Sequence, residues 1–259
     1  MFTEAVLTVA ESKRLIAKGV ANHPDVLRAL SEGTVVVCKG TTNAYVVEEL
    51  LGREIRRTDY VTGKTFPAHL EAQNLTSAKL PDVILRKGQL VEGTNSKEIV
   101  AELKCGDVFI KGANAINYER DQAALLIGHP TGGTIGAAIG TLIARRVKLL
   151  IPAGLEKNIP GDLDEIAARV DSVDSLDSAR DGETGSRAVP AFWRIPGEVF
   201  TEIEALMLLA DCDVMQIAAG GVAGAEGAVR LLLEGDAEQI ASARRLIADV
   251  QGEPPFVTP

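Results

Sequence analysis

The chain has 259 residues, 46% hydrophobic and 24% charged, enough for one large α/β domain or a medium domain plus a small one. A formal charge of −9 and an aromatic content of 4% argue against a nucleic-acid scaffold, which needs basic surface and stacking platforms. The three cysteines, Cys38, Cys105 and Cys212, show no CxxC spacing, so neither a disulfide framework nor a zinc site is expected; they read as buried, reduced thiols of a cytoplasmic protein.

Thr8-Val9-Ala10-Glu11 is a capping box that opens a helix to about Val20. Asn22 and Pro24 start a second helix through Leu30. Thr34-Val35-Val36-Val37-Cys38 is a continuous β-branched run, the signature of a strand buried on both faces. A turn, Lys39-Gly40-Thr41-Thr42-Asn43, separates it from a helix over Ala44 to Leu51, stopped by Gly52. Strand, glycine-containing turn and helix in that order open a doubly wound, mostly parallel sheet. A β-hairpin is predicted over Pro81–Arg86 and Gln89–Glu92, then a helix over Ser96–Leu103. Strands follow at Asp107–Ile110, Ala123–Ile127 and Lys148–Pro152, with a helix over Thr134–Arg146 before the last.

The stretch from Gln122 to Ala144 carries no charge and has the length of a membrane span, but His129-Pro130-Thr131-Gly132-Gly133 breaks it. No membrane association is expected. Residues 160–187 hold eight acids against Arg169, Arg180 and Arg187 and read as a solvated connector. Beyond it, helices at Thr201–Ala210 and Ala237–Val250 flank strands at Val214–Ala218 and Val229–Leu233. Phe192–Ile195 supplies a candidate third strand for a small ferredoxin-like α+β unit. The expected organisation is therefore an α/β ligand-binding domain over 1–160, an acidic connector over 161–190 and the small domain over 191–259.

In such a sheet ligands bind beyond the carboxyl ends of the strands. Four polar segments fall there: Lys39–Asn43, Lys111–Asn114, His129–Thr134 and Glu156–Asn158. Two lead directly into helices, whose first N–H groups attract an anion. Gly40, Gly112, Gly132 and Gly133 let a phosphate or carboxylate approach the backbone; Thr41, Thr42 and Thr134 add hydroxyls; Lys39, Lys111 and Lys157 neutralise charge; Asn43 belongs to the first ligand-binding turn, and Asn114 and Asn117 are candidate orienting groups. Each lysine also reads as a solvated surface residue, and each asparagine as a turn former. For acid–base work the candidates are Glu156, Lys111 and His129, with an ion-pairing role for Glu156 left open. Gly220-Gly221-Val222-Ala223-Gly224 lacks the spacing of a dinucleotide fingerprint, and no cofactor is expected.

The segments Lys39–Asn43, Asp107–Asn117 and Gly132–Gly136 resemble the superfamily of ribose-phosphate isomerases, glucosamine-phosphate deaminases and CoA transferases over roughly residues 8–158. The resemblance implies an open α/β sheet and matches Gly40, Thr41 and Thr42 to the loop that holds a phosphate or CoA. The Asp-Gly-Ala-Asp-Glu segment of the isomerases and the glutamate context of the transferases are absent, so catalysis does not carry over. Three readings follow: an isomerase- or transferase-type enzyme acting on a phosphorylated or CoA-type metabolite, a non-catalytic sensor of such a ligand, or an assembly protein of the same fold. A homo-oligomer is expected.

Overall fold

The computed structural model describes residues 1–62, 65, 80–172 and 190–256. Its centre is a six-stranded sheet in the order β10-β8-β5-β2-β3-β4, formed by β2 (Thr34–Val37), β3 (Val83–Arg86), β4 (Gln89–Leu90), β5 (Val108–Ile110), β8 (Lys148–Pro152) and β10 (Glu198–Phe200). β2, β5, β8 and β10 are parallel and succeed one another in one direction; the antiparallel hairpin β3-β4 completes the far side of β2. All four residues of β2 are buried, as its unbroken β-branched run requires of a strand covered on both faces. Val37 is level with Ile110 and Ile110 with Leu150, while β8 and β10 run on to Pro152 and Phe200. The four parallel strands thus end at one rim.

Helix α1 (Val9–Ala21) is opened by the expected capping box, and α2 (Pro24–Glu32) has its proline in the first turn with the His23 side chain as cap. α3 (Thr41–Leu51) begins three residues earlier than Ala44 and ends at Gly52, whose φ of 61° suits a left-handed cap. α4 (Gly133–Ala144) connects back to β8. A second sheet, β6-β7-β9, combines Ala115–Asn117, Gln122–Ile127 and Ala191–Ile195. α5 (Leu163–Asp171) lies on β9.

The third sheet, β1-β12-β11, is antiparallel and pairs Phe2–Leu7 with Val229–Glu234 and that strand with Asp213–Ala219. Helices α6 (Glu202–Ala210) and α7 (Ala237–Val250) cover its inner face. One apolar cluster runs from Ala5 and Leu7 through Val36, Phe109 and Ile151 to Leu231, Leu233 and Ile247.

Several expectations are corrected. Phe192–Ile195 pairs with β7 and does not complete the C-terminal sheet; that place belongs to Phe2–Leu7. β1 turns Thr3, Ala5 and Leu7 inward and Phe2, Glu4 and Val6 outward, so both faces mix polar with apolar residues and the alternation signal cancels. The helix expected over Ser96–Leu103 shrinks to a single 3₁₀ turn, Ile99–Glu102. Within the acidic connector, α5 is capped by Asp162 and sets Leu163, Ile166, Ala167 and Val170 against Ala115, Ala124 and Phe192; the remainder of that stretch, 173–189, lies outside the described residues, as does His69. Cys38 and Cys212 are buried, but Cys105 is exposed. No helix among the described residues is long and apolar enough to cross a membrane.

Candidate active site

The rim where the parallel strands end gathers side chains from five elements. After β2, Gly40 precedes α3 with no side chain to cap it, which leaves the first-turn N–H groups facing outward from the sheet. Asn43 is fully buried and donates from Nδ2 to the carbonyls of Cys38 (2.8 Å) and Ile110 (3.3 Å), tying α3 to β2 and β5. Its Oδ1 and the buried Thr42 hydroxyl have no partner, an uncommon state for enclosed polar atoms. After β5, Lys111 donates its backbone N–H to Leu150. After β8, Lys157 donates from Nζ to the Ala113 carbonyl at 2.9 Å.

Glu156 sits in the 3₁₀ turn Leu155–Lys157, and its carboxylate lies directly over Gly154. A Cβ at position 154 would come within 1.8 Å of Glu156 Oε2; only glycine leaves room for the acid to fold back. That oxygen is buried and has no hydrogen-bond partner among the described residues. The turn is held from below by Glu202, the first residue of α6, whose two carboxylate oxygens accept the Leu155 N–H at 3.0 and 3.3 Å. Ser12 of α1 lies close enough to Glu202 to favour its charged form. Lys13, beside Ser12, lies within electrostatic range of both Glu156 and Lys157.

The titration of these groups follows from enclosure. Burial, then the neighbouring Glu156, pushes Glu202 up to about 7. Burial pulls Lys13 down to about 8 against the attraction of Glu156, with Lys157 adding to the fall. Lys111 is lowered by burial and by Lys157, against opposing pulls from Cys38 and Asp82. Two carboxylates and three lysines are therefore linked by electrostatic contact at this rim, with Glu202 at about 7 and Lys13 at about 8 poised near neutral pH.

The next residue of α1 is a contrast. Arg14 bonds Glu48 (2.5 Å), Glu49 (2.9 Å) and Glu253 (2.9 Å), and Arg57 joins the same acids. Both guanidinium groups lie on the Tyr45 ring, 4.9 and 4.1 Å from its centre. Every charge there has a partner.

Of the residues singled out from the sequence, Thr42, Asn43, Lys111, Glu156 and Lys157 come together, with Gly112 beside the Pro152 carbonyl. Lys39, Gly40 and Thr41 are half-buried on the same turn. The remainder are engaged elsewhere. Asn114 is exposed, and its Oδ1 accepts the Leu126 N–H, which ties the segment before β6 to the end of β7. His129 is exposed, and its Nδ1 meets the Thr131 hydroxyl and N–H. Gly132 has φ of 76° and no room for a side chain against the Trp193 ring, 2.9 Å from a built Cβ; with His129 it lines a cavity bounded by Phe192, Trp193 and Asp171. Gly133 and Thr134 form the first turn of α4 behind it. Sequence reading missed Ser12, Lys13 and Glu202. A signal existed: Lys13 falls in step with Ile16, Ala17 and Val20, and Glu202 with Ala205 and Leu206, so each is a charge on a buried stripe.

At the opposite end of β8 and β10, His23, Asp25 and Glu198 bring three potential ligand atoms within 4.8 Å. His23 Nδ1 accepts the Asp25 N–H at 3.1 Å, which places the ring proton on Nε2, 3.0 Å from Glu198. A metal at Nε2 would need that lone pair while Nδ1 stayed an acceptor, and Lys148 already bridges Asp25 and Glu198. This cluster is an ion-pair clamp. Neither a family model nor a curated protein matches the chain.

Proposed function

We propose that the chain binds a small anionic metabolite, phosphorylated or CoA-type, at the rim of the parallel sheet, and that Glu156 serves an isomerase- or transferase-type reaction on it. The observation that carries this reading is the Glu156 carboxylate, held over Gly154 with one buried oxygen unpaired, among Lys13, Lys111 and Lys157. In an enclosed space an uncompensated acid is costly, and a proton or an electrophilic carbon of a ligand is the partner it lacks. The lysines and the uncapped start of α3 supply the attraction for the ligand's negative charge. Anion binding would draw protons onto Lys13 and Lys111, whose affinity for protons is lowered by burial and, to a lesser degree, by the neighbouring Lys157. The open sheet of the sugar-phosphate isomerase and CoA-transferase-like superfamily, extended by a ferredoxin-like unit, is the fold this reading takes.

A thermal-shift screen of sugar phosphates, CoA esters and inorganic phosphate tests it, since a ligand selective for the folded state raises the melting temperature. The expected result is a shift with at least one of these that Lys111→Ala abolishes. Glu156→Gln should retain the shift and lose turnover of the hit. No shift with any anion, or a shift indifferent to both Lys111→Ala and Lys157→Ala, would sink the proposal. Binding without turnover in the wild type would leave the sensing alternative standing.

A further inference from the structure

The outer face of the β1-β12-β11 sheet carries an apolar patch that no other described element covers. Strand β12 alternates: Val229, Leu231 and Leu233 are buried, while Arg230, Leu232 and Glu234 point away from the core. Around Leu232 stand Phe2 and Val6 from β1 and Met215 and Ile217 from β11; Phe2 is 61%, Met215 58% and Ile217 47% exposed. The strand pairing arranges this face in three rows: Phe2–Glu234–Asp213, Glu4–Leu232–Met215 and Val6–Arg230–Ala218. Scattered exposed apolar residues are ordinary, but five on one contiguous sheet face mark an interaction surface.

We propose that this face is a homodimer interface, on which a second copy stacks about a two-fold axis passing by Leu232 at right angles to the strands. The register of Arg230 and Glu234 selects the axis. Arg230 and Glu234 lie two residues to either side of Leu232, roughly 7 Å away along the strand. The stated axis reverses the strand direction and sets each Arg230 over the partner's Glu234, so two ion pairs form by symmetry. An axis parallel to the strands would set Arg230 over the partner's Arg230 and Glu234 over the partner's Glu234. Leu232 and Met215 meet their own copies at the centre, and Phe2 meets the partner's Val6. Glu4 lies in the same row and so meets the partner's Glu4 at the edge of the sheet, each 3.6 Å from its own Arg230, which offsets part of the repulsion. Three strands of this length cover only about 20 by 14 Å, less than a standard interface offers per partner, so the dimer dissociates on dilution.

Sedimentation equilibrium of the full chain tests this with Arg230→Glu, Glu234→Arg and the double swap. The wild type is expected to dimerise, and each single variant to weaken the dimer about tenfold or more. The double swap should restore it, because the ion pairs re-form with their signs exchanged. Met215→Glu should weaken it without any change in the ion pairs. All these side chains lie on the open face, and an unchanged circular dichroism spectrum checks that each variant folds. A wild type that stays monomeric up to about 0.5 mM overturns the proposal, as does a dimer indifferent to Arg230→Glu and Met215→Glu. Failure of the swap to restore a dimer broken by both single variants overturns the axis.

Discussion

Two polar clusters occupy opposite ends of strands β8 and β10. At the end where the strands begin, His23, Asp25, Lys148 and Glu198 form a closed set in which each charge has an opposite charge or a hydrogen bond. At the end where they finish, Glu156 keeps an unpaired buried oxygen, Thr42 and Asn43 keep unpaired polar atoms, and Glu202 and Lys13 hold protons abnormally. Elements shared by both clusters place similar residue types in unlike states. The first holds Glu198 down to about 2, chiefly through His23; the second raises Glu202. A satisfied cluster fastens structure, and an unsatisfied one keeps chemical potential for something yet to arrive.

Mutation can break this comparison, and the largest effect lies in the paired class. Arg14→Ala leaves Glu48, with its side chain 4% exposed, buried with Arg57 and the Ile55 N–H as its remaining partners. Breaking such a pair is expected to destabilise the fold by about 3–5 kcal/mol, read as a lower urea midpoint with an unchanged slope. A loss under 1 kcal/mol would mean that pairing does not separate the classes.

The unpaired cluster should show itself through pH. Between the ordinary carboxylate value of 4.5 and about 7, Glu202 holds its proton in the folded state and releases it in the unfolded one, so stability falls as pH rises through that window. Lys13 acts at the other side: between about 8 and 10.5 the unfolded chain holds the extra proton, so stability rises with pH there. The two leave a trough near pH 7 to 8. Glu202→Gln should flatten the fall between 4.5 and about 7 and so raise stability by a few kcal/mol at pH 7 and above, and Lys13→Met should flatten the rise between about 8 and 10.5 and raise stability below pH 8, in urea titrations across pH. Profiles parallel to the wild type would contradict the assignment.

The smallest effect is expected at the clamp. Lys148→Met removes a cation that is one-third exposed, and exposed pairs contribute about 1 kcal/mol or less. Its melting temperature should drop slightly at neutral pH, and the drop should vanish as acid protonates Asp25 and Glu198. Ligand-induced shifts should be untouched; a lost shift would tie the clamp to the site.

What the sequence disclosed depended on how local each signal was. The β-branched run Thr34–Val37, the capping boxes at Thr8 and Thr201, and the inward stripe Ile240, Ala243, Ile247 and Val250 were all legible, because backbone sterics and 3.6-residue periodicity act within a few residues. Thr42, Asn43, Lys111, Glu156 and Lys157 were found by one rule of topology, that polar turns after parallel strands share a rim. His129 was not part of the cluster: β7, the strand before it, belongs to a different sheet, which no local pattern announces. Lys13 and Glu202 were passed over because a charge on an apolar stripe resembles an ordinary helix residue until its neighbours are known. Met207 shows the converse: it falls one turn after Ile203, which is buried, yet is 48% exposed.

The ladder between β1 and β12 has a consequence for how the molecule assembles. The Met1 ammonium donates to the Gly235 carbonyl across 234 positions of chain, so no nearby segment can serve β1 as a temporary substitute. Closing a contact of that span removes the freedom of nearly everything between its ends and is rewarded only after the intervening core exists. Phe2–Leu7 therefore waits for its mate while the rest condenses, and the small sheet is selected by the helices beneath it rather than by its own weak alternation.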